Sequence, residues 1–244
     1  MSGRLKISLT AGLTLTLAML TACSNTPNSS AIDIDPDPRD PYQNINRKVY
    51  AFNDVVDKNL LVPLVNVYEN VTPNVVEKGV SNFFSNLSDM DNLLNHSLQL
   101  KPKKAAKDLG RLVINTTLGL GGLIDVASNL GIYQVSEDFG QTLGYWGVNS
   151  GPYIVLPLLG PSTLRDASAL VIDMNLSPID RYDPVADDFY ISALQVVDIR
   201  HRLGDFESLI SGDPYIFMRE AYLQRREHLI KDGAPGDDDD FDDF

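Results

Sequence analysis

The sequence predicts a mainly α-helical single domain that carries a Gly/Pro-rich apolar loop or short hairpin. Two observations carry that prediction. Asp-Pro and Thr-Pro pairs and one Ser-x-x-Asp box recur as helix starts, each followed by apolar residues at three- and four-residue steps. Between those helices, Arg111 to Asp166 holds many of the glycines and the only Trp, with few charges. Its apolar residues run through Gly and Pro breakers, so it cannot be a regular helix facing water. Either the surrounding helices or a membrane has to cover it.

The N-terminus sets the compartment. Arg4 and Lys6 precede an apolar run, Ile7 to Leu20, that is too short to span a bilayer comfortably. Leu20-Thr21-Ala22 then leads into Cys23, the sole cysteine. Residues 1–22 are therefore expected to be a secretory signal. They are similar to bacterial lipoprotein signals, in which the cysteine becomes the lipidated first residue of the mature chain. Ser24 after it resembles an outer-membrane sorting signal. With Cys23 lipidated, no thiol remains for a disulfide, and packing alone must stabilise the chain. Loss of Arg4 and Lys6 makes the formal charge still more negative than −13. Such an acidic chain is a poor nucleic-acid partner and has no polybasic patch for anionic headgroups.

Residues 23–39 are polar and proline-spaced, a tether, and residues 40–231 form the predicted helical body. Its first helix is expected from Asp40 as N-cap and Pro41, with Ile45, Val49, Phe52 and Val56 on one apolar face and Pro63 as its end. Thr72-Pro73 opens a second, striped by Val75, Val76, Val80, Phe83 and Phe84. Ser88 to Asp91 opens a third running to about Leu100, and Pro102 to Thr116 forms a fourth. The lysines of that fourth start, Lys101, Lys103, Lys104 and Lys107, oppose the helix dipole and read as solvated or headgroup-facing charge. Leu118 to Val126 is a glycine-punctuated apolar run, and Asn129-Leu130-Gly131 is a helix stop. Tyr153, Val155 and Pro157 alternate as a short strand or hairpin that its prolines confine to an edge. Asp183-Pro184 starts a helix with Phe189, Ala193, Val196, Val197 and Leu203 inward. Asp213-Pro214 starts the last, striped by Tyr215, Met218, Tyr222 and Leu229. Residues 232–244 are an acidic tail with no core-forming pattern.

Catalytic chemistry is sought and not found. His96, His201 and His228 lack the spacing of metal ligands and read as surface or helix-face histidines. Gly147 to Gly151 is G-x-x-S-G around Ser150, not the G-x-S-x-G of a nucleophile elbow. The Leu118–Gly122 run lacks dinucleotide-loop spacing. No catalytic residue, metal site or cofactor is expected.

Four blocks, Asp40–Asn53 (DPYQNINRKVYAFN), Asn115–Ser128 (NTTLGLGGLIDVAS), Phe139–Asp166 (FGQTLGYWGVNSGPYIVLPLLGPSTLRD) and Asp213–Arg226 (DPYIFMREAYLQRR), resemble the MlaA (VacJ) lipoprotein family in sequence and order. The resemblance implies a ring-like helical body, lipid-anchored and lodged in the periplasmic leaflet of the outer membrane. It implies an amphipathic channel through which mislocalised phospholipids leave the outer leaflet for a periplasmic lipid-carrier protein, beside a trimeric outer-membrane porin. Phe52 and Asn53, by match to the family's first helix, would hold that helix against the body and regulate the channel. Ala51 and the acidic tail depart from the family. The run Leu118, Gly119, Leu120, Gly121, Gly122, Leu123, Ile124 and Asp125, with Tyr153, Ile154, Val155, Leu156, Leu158 and Leu159, is expected to wall the lipid path; the alternative is that both segments are core. Asp125 and Arg165 are expected near the path or paired with each other. A structural or adaptor lipoprotein docking on a porin without lipid passage is the competing function.

Overall fold

The computed structural model describes residues 37–176, 187–204 and 210–232. Cys23, the signal segment, Asp183-Pro184, the Phe189 side chain and the tail beyond residue 232 lie outside the described residues. In order, the elements are α1 (Gln43–Val56), a π-helical turn (Asp57–Leu61), α2 (Val62–Val71), α3 (Asn74–Leu98), α4 (Pro102–Thr117), α5 (Val126–Asn129), α6 (Phe139–Tyr145), β1 (Tyr153–Leu156), β2 (Gly160–Thr163), α7 (Leu164–Leu176), α8 (Asp187–Leu203) and α9 (Pro214–Ile230). The body is mainly helical, and among the described residues no helix is long and apolar enough to cross a membrane.

Some starts hold as read. Asp213 caps α9, its carboxylate accepting from the Tyr215 and Ile216 amides, and Pro214 sits where a missing N–H costs nothing. Others move. Asp40 caps nothing; it is buried, and α1 opens three residues later behind Tyr42. Pro63 does not end the first helix. The chain widens into a π turn, whose closing bond runs from the Val62 amide to the Asp57 carbonyl, and so passes Pro63 without an i−4 bond from it. The Ser88–Asp91 box opens no helix, because α3 runs unbroken to Leu98. Ser88 instead donates back to the Phe84 carbonyl, and Asp89 is buried. Two helices, α6 and α7, stand where only breakers were read. Asp138 caps α6 through the Gln141 amide.

The larger departure is sidedness. On α3 the apolar stripe points outward: Val75 is 81 % exposed and Val76 about half, while Phe84 alone of that stripe is buried. Ile45 and Phe52 on α1 and Val196 and Leu203 on α8 are likewise exposed. The buried positions are mostly polar, among them Asn86, Asp89, Asn92, Asn95 and His96 on α3 and Asp108, Arg111 and Asn115 on α4. An apolar core exists but is small, formed by Tyr153, Val155 and Tyr215 with Val49, Tyr50 and Tyr222 against it.

β1 and β2 form an antiparallel hairpin, Tyr153 opposite Thr163 and Leu156 opposite Gly160. It packs on α1, α7 and α9, while α3 lies along α4, α6 along α7 and α2 against α8. The glycine-punctuated loop after α4 turns back on that helix, the Gly121 and Gly122 amides donating to the Thr116 and Asn115 carbonyls. Gly122, at φ +94°, lies so close to Asn86 that a Cβ there would stand 2.7 Å from its side chain; Gly121, at φ +74°, has open space. Gly121→Ala should therefore cost only the left-handed backbone penalty of about 1–2 kcal/mol, and Gly122→Ala clearly more. Denaturant unfolding in detergent checks the order, and equal losses would contradict the close approach.

Candidate functional site

The interior between α3 and α4 is built from polar side chains at helical spacing. Arg111 lies at its centre, 1 % exposed. Its Nε donates to Asp89 Oδ2 at 3.1 Å, and its Nη1 donates to Ser128 Oγ at 3.0 Å and to the Ile132 carbonyl. Its Nη2 reaches Asp125 Oδ2 at 3.4 Å. Asp125 also accepts from Asn115 Nδ2 and from the Ser128 amide, both at 3.0 Å, and so caps α5. Gln134 Nε2 donates to Asp89 Oδ1 at 2.7 Å. Burial lifts the Asp89 carboxyl above its ordinary value even against Gln134 and Arg111. Burial also pushes Asp125 up, but there the bonds from Ser128 and Asn115 outweigh it and hold the carboxyl low. The expected Asp125–Arg165 pair does not form: Asp125 belongs to Arg111, and Arg165 pairs with Asp166 at 2.8 Å.

Below this lies a second knot. His96, fully buried and not a surface histidine, has Nδ1 2.5 Å from Asp108 Oδ2 and Nε2 3.5 Å from Glu137 Oε1. Gln99 Nε2 donates to Glu137 at 2.9 Å and to Thr142 at 3.0 Å, and Thr142 donates to Asn95 at 2.8 Å. Burial alone would lower the His96 pKa, but Asp108 and Glu137 outweigh it and raise it to about 9. At the rim, Lys101 and Lys104 hold Asp232 at 2.5 and 3.1 Å, so part of the lysine cluster is tied down and the first residue of the predicted tail belongs to the body.

The hairpin is fastened by two asparagines of α1. Asn46 donates to the Tyr153 carbonyl at 3.1 Å and accepts from the Val155 amide at 3.0 Å. Asn53, two turns on, donates to the Leu156 carbonyl at 2.9 Å and accepts from the Leu158 amide at 2.8 Å. The two side chains thus do for the free edge of β1 what another strand would do. Asp40 anchors the same junction, accepting from Asn46 at 2.8 Å, from Arg219 at 3.2 Å and from the Tyr215 hydroxyl. The body begins before residue 40, since the Tyr153 amide donates to the Arg39 carbonyl at 2.7 Å.

Of the residues the sequence singled out, Asn53 makes the clamp while its neighbour Phe52 points outward, half-exposed. Leu118, Leu120, Leu123 and Ile124 are exposed on the loop after α4, and Leu158 and Leu159 are exposed at the hairpin turn. Tyr153 and Val155 pack inward, and Ile154 and Leu156 are half-buried on the other face of β1. Among the described residues no cluster of His, Cys, Asp or Glu could hold a metal. Sequence reading passed over Asn86, Asp89, Asn92, His96, Asp108, Arg111 and Asn115. Their signal was a polar stripe at three- and four-residue steps, the complement of the apolar one.

A polar interior under an apolar exterior, with a hairpin clamped by Asn46 and Asn53, is the geometry to set beside known proteins. Residues 38–229 match the model of the MlaA lipoprotein family. The chain belongs to the MlaA lipoprotein family. It is 34% identical over 200 residues to the intermembrane phospholipid transport system lipoprotein MlaA of Escherichia coli, covering 80% of this chain and 79% of that one. The Haemophilus influenzae protein of the same name is 32% identical over 225 residues, covering 90% and 89%. An uncharacterized protein of Rickettsia felis is 40% identical over 198 residues, covering 79% and 78%. A solved chain described as the structural basis for maintenance of bacterial outer membrane lipid asymmetry matches with a TM-score of 0.69 at 35% identity, over 78% of this chain and 98% of that one.

Two expectations follow. Arg111→Ala strands Asp89 and Asp125 and should cost about 3–5 kcal/mol, the usual loss on breaking a buried pair; chemical denaturation reading under 1 kcal/mol would remove Arg111 from the centre. For His96 the folded pKa lies above the ordinary 6.5. Its stabilisation is therefore full below about pH 6.5 and is lost as pH rises through about 9. The melting temperature should fall across that window, and His96→Gln should flatten the fall; an unchanged slope in the variant would contradict it.

Proposed function

We propose that this chain is an outer-membrane phospholipid-transport lipoprotein that removes mislocalised phospholipids from the outer leaflet and so maintains lipid asymmetry. The observation that carries the reading is the reversal of polarity: apolar side chains outside, hydrogen-bonded polar side chains inside. A large exposed apolar surface is unfavourable in water and suits a bilayer, while a polar interior suits a headgroup. In this reading Cys23 bears the lipid anchor in the periplasmic leaflet, a trimeric porin adjoins the body, and a soluble periplasmic carrier receives the lipid. Lipid moves without a bond being made or broken, so the protein acts as a conduit and not as an enzyme.

The route runs past the Leu118–Asp125 loop and the Tyr153–Leu159 segment. Their exposed leucines meet acyl chains, and Asn53 sets how far the hairpin stands from α1, with Phe52 contributing from the outer face. Leu120 suits a test because it is 69 % exposed and already left-handed at φ 54°. Leu120→Arg adds charge without removing packing. Outer-leaflet phospholipid should rise in cells lacking the protein, fall with wild type restored, and stay high with Leu120→Arg. No change on deletion, with wild type present in the outer membrane when restored, would favour an adaptor role instead. Asn53→Ala removes both clamp bonds and should increase protease cleavage near Leu158 while altering lipid clearance; wild-type behaviour on both counts would remove the clamp from the mechanism.

A further inference from the structure

The described residues enclose a cavity of about 350 Å³ beside the C-terminal half of α9, within the size range of small-molecule sites. Four cations line it, Arg39, Arg165, Arg226 and Lys231, against one carboxylate, Glu227. Arg165 is the telling member. Its side chain is 4 % exposed. Its Nε donates to Asp166 at 2.8 Å and its Nη1 to the Val148 carbonyl at 3.3 Å. Its Nη2 lies 2.8 Å from the Asp166 carboxylate in an ion pair but, buried, makes no hydrogen bond. A guanidinium carries five N–H donors, so most of this one's capacity is unspent, a costly state for a buried group.

The cleft is also held rigid from behind. Arg226 donates to both Asp138 oxygens and, through Nε at 3.0 Å, to Asp166, and Arg39 is forked between Asp37 and Glu220. Gly140 and Gly144, one turn apart on α6, make the room. A Cβ on Gly140 would stand 2.4 Å from Arg226 Nη2, and one on Gly144 would stand 2.9 Å from Arg165 Nη1. Two planar forks so fixed match the oxygens of a phosphoryl group better than they match a single-point anion. Leu223 and Ile230 line the same cavity, and Tyr145 and Trp146, just ahead of its Val148–Ser150 rim, are half-exposed. Aromatics of that kind sit at headgroup depth in membranes.

We propose that this cleft binds a phosphate ester through Arg165 and Arg226, with the phosphate of a lipid headgroup or free phosphate as its source. The lipid source rests on the transport reading; binding of the phosphoryl group does not. The test uses the purified full chain in non-ionic detergent, titrated calorimetrically with inorganic phosphate and, separately, with dihexanoyl phosphatidylglycerol below its micelle concentration. Arg165→Gln should weaken binding at least tenfold. Because that change touches a buried ion pair, Ser150→Asp provides a second variant: it sets a carboxylate in the cavity wall, keeps both arginines, and should abolish binding without lowering the melting temperature. A lipid bound at least tenfold more tightly than phosphate assigns the site to headgroups, and equal affinities assign it to the free anion. Folded wild type that binds neither, or variants that bind as wild type does, would overturn the site. Lipid clearance separates the two readings. A wild type that binds phosphate but clears no lipid leaves this cleft standing and removes the transport reading, whereas a wild type that clears lipid and binds neither probe does the reverse.

Discussion

The buried guanidinium of Arg111 is the constraint on which the central helices depend. It reaches Asp89 on α3, Asp125 and Ser128 at the start of α5 and the Ile132 carbonyl beyond it, so one side chain of α4 fixes three segments. Such a charge is costly to take from water and is tolerated only when its partners are complete. The surrounding residues complete them: Gln134 covers the second oxygen of Asp89 and Asn115 that of Asp125. The same rule holds at the His96 knot and at the Asp40 junction. A core of this kind specifies geometry through hydrogen bonds, which are directional, where most domains rely on shape-matched apolar side chains.

That choice explains the surface. The chain has an ordinary share of hydrophobic residues, 43%, but the interior is occupied by amides, carboxylates and guanidinium groups. Val75, Leu109, Val113, Leu118 and Leu120 are left outside. In water that arrangement would forfeit the main driving force of folding. Against hydrocarbon the exposed side chains cost little, and the interior keeps what a bilayer cannot supply, partners for every polar group. The small aromatic core at Tyr153 and Tyr215 lies under the hairpin, where Asn46 and Asn53 hold the edge of β1. The one β element is thereby joined to α1 by side-chain hydrogen bonds, a contact that can open without dismantling either helix.

What was legible in the sequence was local. Asp213-Pro214, the extent of α4, the stop at Gly131 and the hairpin follow from capping, proline geometry and alternation, which act within a few residues. Sidedness was not legible in the same way, because an apolar stripe marks one face of a helix without saying whether protein or lipid covers it. Reading Val75, Val76 and Val80 as inward assumed water outside. The Ser88–Asp91 box misled for a related reason: serine and aspartate that start helices elsewhere were here spent on a back-bond and on Arg111. Helices α6 and α7 were hidden by glycines whose purpose is to admit arginine side chains. Asn53 was found only through likeness to the family, and the polar stripe of α3 and α4 would have been found by counting polar residues at helical spacing.

The most direct test of a lipid-facing exterior places nitroxide labels on the protein reconstituted into phospholipid vesicles. Val75→Cys, Leu109→Cys and Leu120→Cys report the apolar surface, and Lys103→Cys serves as an exposed polar reference. Oxygen should relax the first three labels more strongly than a water-soluble nickel chelate does, with the reverse at residue 103. If the nickel chelate dominates at all four positions, the apolar surface faces water or a protein partner, and the account of an inverted, bilayer-seated fold fails.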